Sequence, residues 1–317
     1  MNSRIIGTGQ YLPKNVVTNE KLSETVATSH EWIVERTGIC QRHIADDDAT
    51  TAGLAYEAVV AALADANVAA EEIDLIVLAT TTPDHTYPST ATLVQEMLGN
   101  RHAASFDISA ACSGFIYALA IADNFIKAGS AKKVVVVGSE IYSRILDWED
   151  RTTCVLFGDG AAAVILEATE EEGIISTHLH ADGSYKDLLS VKKSVISSPD
   201  VYPFVQMKGN EVFRHAVTKL HEIVEETLTA ANLTGDDIDW LIPHQANLRI
   251  MTATAKRAGM PLDKMIITVD KHANTSAASI PLALDVARKD GRVKKGDLIL
   301  MEAFGGGFTW GSALVRM

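Results

Sequence analysis

A short pattern occurs twice in this chain, once in each half. The stretch 66–74, Ala-Asn-Val-x-x-Glu-Glu-Ile-Asp, returns at 231–239 as Ala-Asn-Leu-x-x-Asp-Asp-Ile-Asp. A second pair, Gly-x-x-Lys-Lys followed by an apolar run, begins at Gly129 and again at Gly291. Two matches in the same order and at similar spacing indicate duplication, and a repeat of this length is a whole domain rather than one unit of a solenoid. The chain is therefore predicted to fold as two similar halves.

Within both halves, short β-branched runs alternate with longer helical patterns. The strand-like runs are 73–79, 134–137, 161–166 and 298–301, and the clearest helical patterns are 51–67 and 212–232. Strands that are apolar along their whole length are buried on both faces, so helices are expected on both faces of each sheet. The predicted fold class is α/β, with halves over residues 1–173 and 174–317. The stretch 182–209 lacks clear periodicity and is expected to be an excursion between the halves.

Charge and cysteine usage exclude several classes of function. The 41 acidic residues outnumber the 28 basic ones, so the net charge of −13 disfavours nucleic acid and anionic membranes as partners, and an acidic partner would need a local basic patch. The three cysteines show neither a CxxC motif nor zinc-ligand spacing, which predicts a reduced cytoplasmic protein without a metal. No apolar run of signal-peptide or membrane-span length appears.

The segment 108–122 is apolar on every side, as is typical of a helix buried all round. We expect that helix to run from near Cys112 to Ala128 and to end at Gly129, which places the Cys112 thiol in its first turn. The positive end of the helix dipole would then increase the thiolate fraction. The alternative is an inert core cysteine, because free cysteine is among the most buried residue types.

Two more polar side chains fall where the duplicated fold would bring them towards Cys112. His244 directly follows a predicted strand, and Asn274 precedes the helix that is the counterpart of the Cys112 helix. If Cys112 holds an acyl group, a second substrate must supply a carbanion, and His244 and Asn274 can donate hydrogen bonds to its enolate oxygen. No cysteine follows Cys154, so the C-terminal half offers no second thiol as a base. This favours decarboxylative condensation over thiolysis.

With these features the chain resembles the β-ketoacyl-acyl-carrier-protein synthase III family, thiolase-like condensing enzymes that begin type II fatty acid synthesis. The resemblance runs essentially end to end, through Glu31-Trp32-Ile33, Arg36-Thr37-Gly38-Ile39, Ala110-Ala111-Cys112-Ser113-Gly114-Phe115, Asp150-Arg151-Thr152, Gly158-Asp159-Gly160, Gly209-Asn210-Glu211-Val212-Phe213, Pro243-His244-Gln245-Ala246-Asn247 and Gly305-Gly306-Gly307-Phe308. It implies a five-layered αβαβα fold and a homodimer.

The resemblance also implies the reaction. Acetyl-CoA would acylate Cys112, and malonyl-acyl carrier protein would then lose CO₂ while His244 and Asn274 stabilise the enolate. The products would be acetoacetyl-acyl carrier protein, CoA and CO₂. CoA thioester is a substrate in this scheme, and no cofactor is expected. The backbone N–H groups of Cys112 and Gly306 would form a second oxyanion hole.

Binding roles follow from the same resemblance. Trp32 and Arg151 would stack on the CoA adenine, Arg36 would meet a phosphate, and the pantetheine tunnel would be lined by Gly209, Phe213 and Asn247. The acidic carrier protein would dock on the basic side chains of Arg214, Arg249, Lys256 and Arg257. The primer pocket would be formed by Tyr142, Phe157 and, from the neighbouring subunit, Tyr87. These bulky rings favour an acetyl-sized primer.

One departure from the family and three alternatives remain at this point. The family's glycine before the catalytic asparagine is Ala273 here, which would be strained if that backbone needs a positive φ.

A related Cys-His-Asn condensing enzyme or acyltransferase of secondary metabolism would keep the same residues and use a different primer. A non-catalytic CoA or carrier-protein binder is disfavoured because all three chemical groups are intact. A cysteine hydrolase is disfavoured because an apolar, buried helix start excludes water.

Overall fold

The computed structural model describes all 317 residues. The α-helices are α1 (Asn19–Ser23), α2 (His30–Thr37), α3 (Thr51–Ala66), α4 (Thr90–Met97), α5 (Gly114–Lys127), α6 (Gly209–Ala231), α7 (Leu248–Arg257), α8 (Val269–His272) and α9 (Ser279–Lys289). The strands are β1 (Asn2–Tyr11), β2 (Asn15–Thr18), β3 (Gln41–Ile44), β4 (Leu75–Ala79), β5 (Ala104–Ile108), β6 (Lys133–Glu140), β7 (Gly160–Thr169), β8 (Ile174–Ala181), β9 (Leu189–Ser190), β10 (Gln206–Met207), β11 (Trp240–Pro243), β12 (Leu298–Gly305) and β13 (Thr309–Arg316).

Two sheets of mixed direction carry the fold. The first has the strand order β1-β7-β6-β4-β5, in which β4 runs parallel to both β5 and β6, and β7 runs antiparallel to β1 and β6. The second has the order β11-β12-β13-β8, in which only β11 and β12 are parallel. Every residue of β4 and of β12 is buried, as expected for strands with helices on both faces. The last strand of the first sheet ends at Thr169, and the first strand of the second begins at Ile174.

The helices form three layers around these two sheets. Helix α3 covers the outer face of the first sheet against β1, β6 and β7, with α4 beside it. Helices α5 and α9 lie between the sheets, where α5 contacts β4 and β6 on one side and β8 and β13 on the other. Helix α6 packs on the outer face of the second sheet against β12 and β13, and α7 packs on α6. This order confirms the predicted αβαβα layering, and one apolar cluster joins both sheets through α5 and α9.

The sequence duplication corresponds to a duplication in structure. Helices α3 and α6 both end at an asparagine in the left-handed conformation, Asn67 with φ 52° and Asn232 with φ 54°. In each half a 3₁₀ turn follows, Ala70–Glu72 and Gly235–Asp237, and leads into the strands β4 and β11. These matched elements stand at the same offset along the chain as the stretches 66–74 and 231–239, so the repeated sequence and the repeated structure coincide.

The predicted elements are found, with shifted ends. Helix α6 begins at Gly209, three residues before the predicted start at residue 212. Its first turn is polar, so no apolar periodicity marks it in the sequence. The stretch 182–209 was predicted to lie between the halves, but it lies within the second half, between β8 and α6, and β9 and β10 pair inside it as a two-stranded sheet. No helix is both long enough and apolar enough to cross a membrane.

Candidate active site

Cys112 lies at the junction between β5 and α5, beneath the end of β12. It sits in the 3₁₀ turn Ala111–Ser113, just before the α-helix begins at Gly114, and not in the first α-helical turn as predicted. A Cβ added to Gly305 would lie 2.6 Å from the Cys112 backbone nitrogen. The glycine run therefore lets the two backbones approach closely, and the closest approach is made by Gly305.

The prediction of an increased thiolate fraction is wrong for this structure. The Cys112 side chain is only 5% exposed, and burial raises the pKa of its thiol to about 12. The buried carboxyl of Glu140 raises that pKa further, and the Ser276 hydroxyl lowers it only in part. Loss of hydration therefore favours the protonated thiol in the free protein.

His244 directly follows β11, as predicted, and its ring is held in a buried setting. Its backbone N–H donates to the carbonyl of Glu302 at 2.7 Å, and Nδ1 lies 2.6 Å from the Ser279 hydroxyl at the start of α9. Burial lowers the pKa of His244 to about 3. The imidazole is therefore neutral near pH 7 and carries a single N–H.

Asn274 is fixed between the two halves of the molecule. Its backbone N–H donates to the Leu156 carbonyl at 2.9 Å, and its own carbonyl accepts from Gly158 at 3.1 Å. Its side-chain Oδ1 accepts the backbone N–H of Ser276 at 2.9 Å, which leaves the amide NH₂ as a donor. The residue before it, Ala273, has φ 57° and ψ −161°, so the condition for strain at that alanine is met.

The structure brings these three side chains to one cavity of about 410 Å³. Besides Cys112, His244 and Asn274, five of the predicted CoA-binding residues line it, namely Trp32, Arg36, Gly209, Phe213 and Asn247. Most of the remaining lining is apolar, including side chains that the sequence did not single out: Val155, Leu156, Leu189, Met207, Val212, Leu220, Ile250 and Phe304. The site thus combines one thiol and two neutral donors with apolar walls.

The indole of Trp32 is flanked by two guanidinium groups at the cavity's edge. Arg36 lies 4.8 Å and Arg151 5.3 Å from the Trp32 ring centre. Arg151 does not line the cavity and donates to the Ala27 carbonyl at 2.9 Å. An indole and two guanidiniums grouped in this way offer planar surfaces on which a flat ring can stack.

The four predicted docking residues lie outside the cavity, on adjacent helices. Arg214 is exposed on α6, and Arg249, Lys256 and Arg257 are exposed on α7. None of the four forms a salt bridge with an acidic residue of the chain. The Arg249 guanidinium lies 5.8 Å from the ring of Phe213, which lines the cavity, so the basic patch borders the cavity's edge.

The predicted primer-pocket residues are divided. The rings of Tyr142 and Phe157 stack at 4.4 Å and both are buried. Phe157 faces the thiol cavity, whereas Tyr142 lines a second cavity of about 340 Å³ together with Gly306. Tyr87 is 85% exposed and touches neither cavity within this chain.

Two buried acids near the site were not predicted. Glu140, at the end of β6, accepts hydrogen bonds from the backbone and hydroxyl of Thr81 and from the Thr82 hydroxyl at 2.9–3.0 Å. Glu302 on β12 is fully buried and neither of its carboxyl oxygens has a partner. A lone Glu in an apolar run was the only signal that either gave in the sequence. No group of three or more His, Cys, Asp or Glu side chains is placed to hold a metal ion.

Comparison with known proteins adds four findings. The family model of 3-oxoacyl-[acyl-carrier-protein] synthase III matches residues 106–183, and the model of that family's C-terminal part matches residues 228–317. The β-ketoacyl-[acyl-carrier-protein] synthase III of Xanthomonas campestris pv. campestris is 58% identical over 99% of this chain and 98% of the relative. The crystal structure of 3-oxoacyl-[acyl-carrier-protein] synthase III from Aquifex aeolicus VF5 is 50% identical, with a TM-score of 0.95 over 99% of this chain and 100% of that one. The priming β-ketosynthase of the R1128 polyketide biosynthetic pathway is 36% identical, with a TM-score of 0.95 over 99% and 96%.

Proposed function

The chain belongs to the β-ketoacyl-[acyl-carrier-protein] synthase III family, and we propose that it condenses acetyl-CoA with malonyl-acyl carrier protein. The products are acetoacetyl-acyl carrier protein, CoA and CO₂. The observation that carries this proposal is the convergence of Cys112, His244 and Asn274 on one largely apolar cavity. A nucleophile and two neutral hydrogen-bond donors are what acyl transfer followed by decarboxylation requires.

In the first step the sulfur of Cys112 attacks the thioester carbon of acetyl-CoA. The bond between the acetyl carbon and the CoA sulfur breaks, and the proton of the Cys112 thiol ends on the departing CoA. Because burial raises the pKa of the Cys112 thiol, the proton is assigned to leave as the sulfur attacks the bound acyl donor. The N–H groups of Cys112 and Gly306 are assigned to the developing oxyanion. Gly306 directly follows Gly305, whose backbone lies against that of Cys112, and this proximity supports the assignment.

In the second step the malonyl group loses CO₂, and the electron pair of the broken carbon–carbon bond forms an enolate. His244 and Asn274 donate hydrogen bonds to the enolate oxygen, and its carbon attacks the acetyl group on Cys112. The bond to the Cys112 sulfur breaks, and the thiolate takes up one proton from solvent, which is consumed in the overall reaction. Since a carboxylate is lost, no strong base is needed. A neutral imidazole, given a pKa of about 3, supplies a donor without placing a proton where it would quench the carbanion.

Substrate binding is assigned to two surfaces at the cavity's edge. The Trp32 indole and the Arg151 guanidinium receive the CoA adenine, and the Arg36 guanidinium beside them receives a phosphate. The unpaired basic residues on α6 and α7 dock the acidic carrier protein next to Phe213, which lets its pantetheine arm enter the same cavity as CoA. The reaction uses no cofactor, because both acyl groups arrive as thioesters.

A second copy of the chain is the proposed occupant of the surface around Tyr87. Tyr87 is 85% exposed in the single chain, so it is free to reach a neighbouring subunit, and in a homodimer it would close that subunit's primer pocket. With the stacked rings of Tyr142 and Phe157 on the other side, such a pocket suits an acetyl-sized primer. The likeness to a polyketide-priming synthase keeps a second candidate, a condensing enzyme with a different primer.

Product analysis tests the proposal. Purified protein is given malonyl-acyl carrier protein together with acetyl-CoA, or with isobutyryl-CoA or octanoyl-CoA. We expect acetoacetyl-carrier protein from the first mixture and little product from the others. Cys112→Ser should abolish product, whereas the matched control Cys154→Ser, at a buried cysteine outside both cavities, should not. Preferred use of a longer or branched primer would favour the polyketide-type alternative, and product from Cys112→Ser would refute the proposed nucleophile.

A further inference from the structure

The hydrogen-bonding partner of the His244 ring bears on its role as a donor. A neutral imidazole carries its proton on either Nδ1 or Nε2, and only a proton on Nε2 serves a substrate when Nδ1 is engaged by the protein. Nδ1 lies 2.6 Å from the Ser279 hydroxyl oxygen. His244 is 5% exposed and Ser279 2% exposed, so water does not compete for this contact.

The surroundings of Ser279 indicate which of the two groups donates. The Ser279 oxygen already accepts the backbone N–H of Gln245 at 3.2 Å. No other hydrogen bond of this hydroxyl occurs, so His244 Nδ1 is its one acceptor. If Nδ1 carried the proton, the Ser279 hydroxyl proton would be buried without an acceptor. If Ser279 donates to Nδ1, every group is satisfied and the imidazole proton must sit on Nε2.

The backbone that carries the His244 ring is fixed by the next side chain. The Gln245 amide nitrogen donates to the carbonyls of Pro243 and Ile266 at 2.8 and 3.1 Å. Its oxygen accepts the backbone N–H groups of Thr268 and Val269 at 2.8 and 3.1 Å. These four hydrogen bonds fix the backbone next to His244, so the ring is held in place beside Ser279.

The duplication shows that this hydroxyl is a feature of one half only. Ser279 is the first residue of α9, and the offset that relates Asn67 to Asn232 relates Gly114, the first residue of α5, to Ser279. The half that supplies the thiol thus has no side chain at the position where the half that supplies the imidazole has a donor.

We propose that Ser279 is a positioning residue that holds His244 in the Nε2–H tautomer, so that the imidazole donates into the thiol cavity during condensation. This inference rests on the proposed function for the identity of the step that it serves. Acylation of Cys112 by acetyl-CoA does not use the imidazole donor and is independent of Ser279. The group that accepts the hydrogen bond from Nε2–H is the enolate oxygen of the second substrate's thioester.

Nuclear magnetic resonance of the native protein, labelled with ¹⁵N in its histidines, tests the tautomer directly and needs no substrate. The His244 signals are assigned by their loss in His244→Gln. We expect the unprotonated nitrogen to be Nδ1 in the native protein. We also expect part of the proton population to move to Nδ1 in Ser279→Ala. A native spectrum with the proton on Nδ1 would overturn the proposal.

Kinetics supply the second test, with acylation and condensation measured separately. We expect Ser279→Ala to lower the condensation rate roughly 10- to 100-fold, with acylation by acetyl-CoA unchanged within about twofold. Ser279→Thr, which keeps the hydroxyl, should recover most of the rate. Ser139→Ala is the matched control. Ser139 is a fully buried serine that does not line the cavity, and its hydroxyl donates to the Thr51 carbonyl at 2.8 Å.

Some outcomes would refute the positioning role of Ser279, and one would refute the proposed function. An equal loss of both half-reactions in Ser279→Ala, or a loss no larger than that of Ser139→Ala, would contradict the positioning role. Failure of the native protein to accept acetyl or malonyl groups would refute the proposed function instead, since the tautomer measurement stands without either substrate.

Discussion

Ala273→Gly should raise the free energy of unfolding, whereas a buried alanine-to-glycine change at an ordinary backbone conformation should lower it. Ala273 is fully buried with φ 57° and ψ −161°, a region open almost only to glycine. An alanine held there is strained by about 1–3 kcal/mol. Glycine removes that strain, at a cost of about 0.4–1 kcal/mol for its greater freedom in the unfolded chain and about 0.8 kcal/mol for the lost buried methyl. With central values, Ala273→Gly is expected to stabilise the protein by about 0.5 kcal/mol.

Ala278→Gly is the matched comparison. Ala278 is also fully buried, but its φ of −77° and ψ of −15° are ordinary, so only the two unfavourable contributions apply. That variant should lose about 1.5 kcal/mol, which places the two variants about 2 kcal/mol apart. For a chain of 317 residues this corresponds to roughly 3 °C in melting temperature.

Thermal unfolding of native protein and both variants, in one buffer and at one protein concentration, measures that separation. If Ala273→Gly melts as low as Ala278→Gly, the backbone at residue 273 is not strained. The conformation assigned to the residue before Asn274 would then be wrong.

Three other predictions concern charge and binding. Burial raises the pKa of Glu302 from 4.5 to about 8, so stability should fall by up to about 1.4 kcal/mol per pH unit between those values, and denaturant midpoints at pH 6 and 8 should differ in native protein more than in Glu302→Gln. Trp32→Ala should raise KM for acetyl-CoA roughly 10-fold and leave KM for acetyl-pantetheine, which lacks the adenine, unchanged; an equal rise for both would contradict adenine stacking. Arg249→Glu should raise KM for malonyl-acyl carrier protein roughly 10-fold at low salt and spare acylation by acetyl-CoA, and an equal loss of both would count against the docking patch.

Two α/β halves with helices on both faces of each sheet were predictable from duplication and hydrophobic periodicity, whereas the five-layer order was implied by the family resemblance. Strands that are apolar along their whole length need helices packed on both faces, and the repeated order of helix, acidic turn and strand supplies such helices in each half. His244 and Asn274 could be found because each stands at the end of a predicted element. The shift in the start of α6 shows the limit of that reasoning, since a polar first turn has no apolar periodicity.

The electrostatics of the site could not be predicted, because they depend on contacts distant in sequence. The thiol pKa follows from burial of Cys112 and from the carboxyl of Glu140, which lies beyond α5 at the far end of β6. Ser279 touches His244 from a different element, at the start of α9, and has no motif to mark it. The positive φ at Ala273 was foreseen only as a condition, through the family's glycine.

In the proposed reaction the Cys112 sulfur holds the acyl group between two half-reactions. Intact-protein and peptide mass spectrometry after mixing with acetyl-CoA alone tests it most directly. We expect a single adduct of about 42 Da, confined to the peptide that contains Cys112, which persists until malonyl-acyl carrier protein is added and then disappears as CO₂ is released. An adduct on any other residue, or one that water removes before the second substrate arrives, would contradict it.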